Sequence, residues 1–161
     1  MSGRVPPQTR SSVSFFRAGI VAVLYNPHTN KFLAGERAKP PAGTWQFPQG
    51  GIEENQTPIQ AALTEVREET GIILAEDSLL FVSSGWISYE LPEPTSFHGR
   101  GQTQKWFVFE YLGDATLNNP VDNEFLQVAY MDFDDVVDTT ASFRIPAYQQ
   151  FHQEFISWQR N

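Results

Sequence analysis

Hydrophobic and polar positions follow two alternating periods along this chain. Ala18-Gly19-Ile20-Val21-Ala22-Val23-Leu24-Tyr25 is an unbroken apolar, β-rich run, the signature of a strand buried on both faces. Asn26-Pro27-His28-Thr29-Asn30 then supplies turn residues, and a second strand is predicted from Lys31 to Arg37, making a hairpin with His28 as a plain turn residue. Leu79 to Ile87 reads as another strand. A loop opens at Tyr89-Glu90-Leu91-Pro92 and carries Pro94, His98 and Gly99. Gly101 to Tyr111 reads as a strand, as does the stretch from Phe125 through Met131. Asp132 to Asp138 is predicted to be a short acidic turn or helix without chemistry.

Between these strands the period changes to that of a helix. Ile59, Ala62, Leu63 and Val66 recur at three- and four-residue spacing, and near the end Ala147, Tyr148, Phe151, Phe155 and Trp158 do the same, mostly as core positions. The first helix is well punctuated. Thr57 suits an N-cap, Pro58 the first helical position, where a missing N–H costs nothing, and Gly71 a left-handed C-terminal stop.

On another face that helix carries Glu65, Glu68 and Glu69. Three carboxylates within roughly 6 Å of helix axis repel one another. They also lie toward the C-terminal end, where the macrodipole disfavours negative charge. The one cation in this turn, Arg67, projects away from the carboxylate face. Most glutamate runs on helices are simply solvated. Here the glycine turn before the helix and the glycine stop after it favour a hard divalent cation, Mg²⁺ or Mn²⁺, held by oxygen ligands and bridging to phosphate.

Composition narrows the setting. The chain has 161 residues, 40% of them hydrophobic, enough for one domain that buries about 68–70% of its unfolded surface. Met1 to Val13 has no period and reads as a flexible tail, leaving residues 14–161 as the single domain. There is no cysteine, so disulfides and thiolate metal sites are excluded. No apolar run approaches the ~20 residues of a membrane span, and the N-terminus shows no signal-peptide h-region, so the expected location is cytoplasmic. A net charge of −8 argues against extended, sequence-independent nucleic-acid binding but not against a phosphate substrate, because a bound cation supplies the positive field locally.

From Gly50 to Ile72 the chain resembles the signature of the Nudix hydrolases: G, five residues, E, seven residues, R-E-U-x-E-E-x-G-U, with U aliphatic. Gly50, Glu65, Val66, Glu68, Glu69, Gly71 and Ile72 match, seven of the nine defined positions, while Gln56 stands in place of Glu and Thr64 in place of Arg. Because both members of that charge pair are replaced, neither is left as an uncompensated charge, and a Gln56–Thr64 hydrogen bond is the expected substitute. The strings Trp45-Gln46-Phe47-Pro48-Gln49-Gly50-Gly51 and Gly101-Gln102-Thr103-Gln104-Lys105-Trp106-Phe107 are similar to the branch that holds bacterial RNA 5′-pyrophosphohydrolases and plant-type dinucleoside tetraphosphate hydrolases.

That resemblance implies an α/β fold, an α/β/α sandwich with a mixed sheet between helices. It implies two or more Mg²⁺ or Mn²⁺ ions held by Glu65, Glu68, Glu69 and Glu124, with the Gly50 carbonyl as a further ligand and Asp122 as the alternative to Glu124. Glu68 or Glu124 then takes the proton from the attacking water. Lys105 is the candidate for a phosphate oxygen, Tyr89 lies next to the site, and Phe143 with Arg144 flanks the substrate base, with Arg37 on the base's opposite face. The implied substrate is a dinucleoside polyphosphate or a 5′-triphosphorylated RNA end. Glu90 and Glu93, where the RNA enzymes tend to be basic, tilt the expectation toward the smaller nucleotide. A monomer or weak homodimer is expected. The altered box positions leave a nucleotide-binding sensor as the alternative.

Overall fold

A computed structural model describes residues 14–161; the expected tail at 1–13 lies outside them. The described residues form one mixed sheet of eight strands: β1 (Phe16–Asn26), β2 (Lys31–Arg37), β3 (Trp45–Gln46), β4 (Gln49–Gly51), β5 (Leu79–Val82), β6 (Ile87–Thr95), β7 (Gly99–Glu110) and β8 (Phe125–Met131). Three helices cover it: α1 (Pro58–Thr70), α2 (Phe133–Thr139) and α3 (Ile145–Gln159).

The apolar run of β1 sits at the centre, parallel to β7 on one side and antiparallel to β2 and β4 on the other. Burial on both faces explains why it shows no alternation in sequence. Its residues nevertheless divide by parity. Ile20, Ala22 and Leu24 pack with Ala61, Ala62 and Val66 of α1 and with Phe107 and Phe109. Val21, Val23 and Tyr25 pack with Trp106, Phe133 of α2, and Tyr148, Phe151 and Phe155 of α3. This is the expected sandwich, with α1 on one face and α2 and α3 on the other.

Two local expectations are corrected. The single strand expected over Leu79–Ile87 is two, because Ser83, Ser84 and Gly85 break it; the Ser83 hydroxyl turns back to donate to the Gly85 carbonyl. The loop expected at Tyr89 is strand instead: Tyr89 pairs with Gln102 and Glu90 with Gly101 in an antiparallel hairpin, interrupted before Thr95 meets Gly99. Pro92 and Pro94 are tolerated because β6 pairs only with β7 and lies at the sheet edge, where a missing N–H leaves no ladder partner waiting. The acidic stretch after Met131 does form a helix, anchored by buried Phe133 and Val136.

Candidate active site

The start of α1 is built as its sequence predicts. Thr57 accepts a hydrogen bond from the Gln60 N–H, and the Gln60 side chain accepts one from the Thr57 N–H, closing a capping box. The replaced charge pair is bridged as expected, with Gln56 Nε2 donating to Thr64 Oγ1 at 3.4 Å, while Gln56 Oε1 also accepts from the Glu53 N–H at 2.9 Å.

At its other end the helix is held by a distant segment. Gly71 takes φ 79°, and a Cβ there would collide with the Asn118 carbonyl. The Asn118 N–H donates to the Thr70 carbonyl at 2.8 Å and the Asp122 N–H to the Glu68 carbonyl at 2.9 Å, satisfying carbonyls that a helix end leaves unpaired. The same segment then delivers Glu124, whose carbonyl accepts from the Ala38 N–H at 2.9 Å. Arg37 Nε lies 3.9 Å from Glu124 Oε1. Loop closure over α1 therefore brings Glu124 and Arg37 to the helix that carries the three box glutamates.

The glycine turn fits against those glutamates. A Cβ on Gly50 would overlap the Glu65 carboxyl group, and a Cβ on Gly19 of β1 would come within 2.7 Å of the Gly50 carbonyl oxygen. Both positions are glycine because backbone and carboxylate need the same space.

Electrostatics at this point are unsettled. Glu69 is only 5% exposed, shares a hydrogen bond with Glu65, and keeps one carboxyl oxygen without a partner. Burial, the Glu65 contact and the nearby Glu124 charge push it up to about 10, although the Gln49 backbone N–H draws it down. Glu65 is raised as well, chiefly by burial, with Glu68, Asp122 and Glu53 adding repulsion and the Glu69 hydrogen bond opposing them. Two carboxyls that share one proton, one with an orphaned oxygen, fit a cation well. Among the described residues no three acidic side chains converge tightly enough in this conformation to enclose an ion, so Glu65 and Glu69 are the pair that fits, with Glu68, Glu124 and Asp122 around them. A divalent ion there would substitute for the shared proton.

The base-binding candidates assemble beside the Trp45–Gly51 segment. Tyr89 and Phe143 have ring centroids 5.5 Å apart, and Phe16, Ser88, Glu90 and Pro146 join them around a cleft of about 350 Å³. Arg144 lies 4.8 Å from the Phe143 centroid and 5.8 Å from that of Tyr89, 8% exposed, donating to Gln46 Oε1 at 3.1 Å. It packs on both rings without lining the cleft itself. Lys105 is not gathered into this cluster; its ammonium lies over Trp86 at 5.8 Å.

One cation escaped the sequence reading. Arg17 lies so close to the glycine turn that a Cβ on Gly51 would meet its guanidinium at 2.7 Å, and its other side covers the Phe97 ring at 4.8 Å. It sits one residue before the apolar run, where a strand-end arginine gives no signal. Gln49 was also passed over: its side chain accepts from buried Gln104 at 3.3 Å while its N–H reaches Glu69, so a polar chain runs from β7 to the carboxylates.

A mixed sheet between helices, with a glycine turn folded onto a glutamate-rich helix, defines a class. The NUDIX domain model matches residues 15–159, and the chain belongs to that family. It is 36% identical over 152 residues to an RNA pyrophosphohydrolase of Rhodospirillum rubrum, covering 90% of this chain and 89% of that protein. Against an RNA pyrophosphohydrolase of Bartonella clarridgeiae it is 38% identical over 122 residues, 69% of each chain. In structure it is similar to a C. elegans Ap4A hydrolase in a binary complex, with a TM-score of 0.62, 17% identity, and coverage of 86% of this chain and 98% of that one. The chain is thus a Nudix hydrolase, of the kind that acts on acid anhydrides.

Proposed function

We propose that this enzyme removes pyrophosphate from 5′-triphosphorylated RNA, using Mg²⁺ or Mn²⁺ at the Glu65–Glu69 pair, with dinucleoside polyphosphates as the competing substrate. The observation that carries the metal-dependent reading is that buried, hydrogen-bonded pair beside Gly50, with its orphaned oxygen. When bound, the ions supply a water of lowered pKa and charge on the phosphate oxygens.

The chain's own groups do the rest. Glu68 or Glu124 accepts the proton as a water oxygen bonds to phosphorus and the phosphoanhydride P–O bond breaks, releasing pyrophosphate from the RNA. Arg17, against the glycine turn, and Arg37, beside Glu124, meet the negative charge of the phosphates. Tyr89 and Phe143, held by Arg144, present an aromatic wall to the first base.

Two observations favour RNA over the dinucleotide. Relatives at 36–38% identity carry the RNA name. The acidity expected to repel RNA is also reduced, because Glu90 is engaged by the Arg100 guanidinium. Product analysis by chromatography with Mg²⁺ or Mn²⁺, offering a short 5′-triphosphorylated RNA and diadenosine tetraphosphate side by side, tests the assignment. Faster pyrophosphate release from RNA is expected. Faster dinucleotide cleavage reverses the substrate order, and no turnover of either with nucleotide binding intact moves the protein to the sensor class.

A further inference from the structure

The β6–β7 hairpin tip carries an aromatic surface that neither the core nor the carboxylate site uses. Phe97 is 67% exposed at the tip, and Phe15 and Phe16 are exposed beside it. Isolated exposed apolar residues are ordinary, but here three phenylalanines gather around Gly99, and a grouped apolar patch marks a contact surface. The tip is also built to hold them in place. The Thr95 hydroxyl accepts from the His98 N–H at 2.8 Å, the His98 ring meets Phe97 edge-on with centroids 4.8 Å apart, and Gly99 adopts φ 74° with no room for a Cβ against the Phe15 carbonyl. The Arg100 N–H donates to that same carbonyl at 2.8 Å, tying the tip to the start of β1.

Cations are interleaved with these rings. The Arg17 guanidinium bridges Gly51 of the glycine turn and the face of Phe97, and that of Arg100 lies 5.8 Å from the Phe16 ring. A line therefore runs from the carboxylate centre through a guanidinium to an exposed ring. Alternating cation and aromatic is what a single strand of nucleic acid recognises, phosphate on the first and base on the second. In a chain of net charge −8 such a track is local, and it begins at the reacting centre.

From this juxtaposition of Arg17, Phe97 and the glycine turn, we propose that the hairpin tip is a stacking platform for a nucleotide of the RNA strand downstream of the reacting 5′ end, with Arg17 holding the intervening phosphate. The proposal rests on the nucleotide reading of the site given above and extends it to substrate length. Phe97 takes no part in the chemistry. Its loss weakens binding of a strand and leaves a lone nucleotide untouched.

The test uses the product form, which is not turned over. With Mg²⁺ present, affinity is measured by fluorescence anisotropy for a 3′-labelled, 5′-monophosphorylated RNA tetranucleotide, and by competition for the nucleoside 5′-monophosphate. F97A should weaken tetranucleotide binding by roughly tenfold, the scale of one stacked base. Mononucleotide affinity should not change, and F97W should restore the tetranucleotide. Equal tetranucleotide affinity of F97A and the parent overturns the platform, as does equal loss toward both ligands. If sedimentation shows F97A dissociating a dimer while RNA affinity is unchanged, the face is a contact between copies and the proposal falls. Pyrophosphate release by the parent is scored separately: its absence with Phe97-dependent strand binding intact removes the enzymatic assignment and keeps the platform.

Discussion

The two faces of the sheet are made from different materials. Against α2 and α3 lies an aromatic layer in which Trp106 stacks on Phe151 at 4.5 Å, Phe47 on Tyr148 at 5.3 Å, and the Tyr148 hydroxyl accepts from the Phe47 N–H. Burial of these rings holds the fold together. Against α1 the layer is mostly aliphatic, built on Ala61, Ala62 and Val66, and at its edge it accepts a buried carboxyl with a missing partner. Buried polar atoms without a partner occur on both faces, Trp106 Nε1, Tyr89 Oη and Arg144 Nε among them on the aromatic one, but on the α1 face the orphan is a carboxyl oxygen of Glu69 beside further acids, where a cation and a substrate phosphate would act. The carboxylates thus lie on the α1 side of β1 and the aromatic layer, with Tyr89 and Phe143 as part of it, on the other, so the carboxylates can be perturbed without that layer.

The largest effect expected from that separation is on turnover. Glu68→Gln should slow hydrolysis by about 10²–10⁴-fold, the range of a lost general base, while the melting temperature stays within a degree or two of the parent in circular dichroism. Near-parental turnover would remove Glu68 from the mechanism. On the opposite face the pattern inverts. Phe151→Ala should cost about 3–5 kcal/mol in denaturant unfolding, as large aromatic truncations do, with metal affinity of the folded fraction unchanged.

Gly50→Ala falls between the two. Its methyl group would collide with the Glu65 carboxyl, so a loss of about 1–3 kcal/mol is expected together with weakened Mn²⁺ binding by calorimetry. Stability lost with unchanged metal affinity would separate the glycine turn from the carboxylates.

A subtler difference appears with pH. Glu69 is pushed up to about 10 from an ordinary 4.5, and Glu65 is raised too, so the folded state binds more protons than the unfolded chain in this window. Without divalent cation the stability they lend is therefore full below about pH 4.5 and is lost as pH rises toward about 10. Glu69→Gln should flatten that decline between pH 6 and 9 in metal-free melting curves. The smallest effect belongs to the box departures: Gln56→Glu with Thr64→Arg replaces a 3.4 Å hydrogen bond by an ion pair and should raise stability by about 1 kcal/mol or less. A lower melting temperature for the double variant would show that Gln56 and Thr64 suit this loop better than the charged pair.

How much of this was legible in the sequence depends on how local the cause is. Thr57, Pro58 and Gly71 mark the ends of α1 through interactions within a few residues, and the helix runs between them. The apolar run of β1 declares burial by composition and the aromatic stripe of α3 by its helical spacing, although Trp158 at the end of that stripe is exposed. Tyr89 to Thr95 was misread because proline signals a loop unless the strand is at an edge, and edge position is set by the pairing of β6 with β7. Arg144 was legible as the partner of Phe143, but its burial and its hydrogen bond to Gln46, 98 positions away, were not. Lys105 sat within a matching motif, yet its ammonium is directed to Trp86. Arg17 was silent for the converse reason, since its neighbours Gly51 and Phe97 are distant in sequence.

The account turns on the claim that a cation takes the place of the proton shared by Glu65 and Glu69. Mn²⁺ titration by calorimetry at pH 8, repeated in two buffers of different ionisation enthalpy, measures this directly. Binding should release roughly one proton per site, as expected when a ligand must deprotonate, and Glu69→Gln should abolish the release. Tight Mn²⁺ binding with no proton released, or no binding at all, would contradict it.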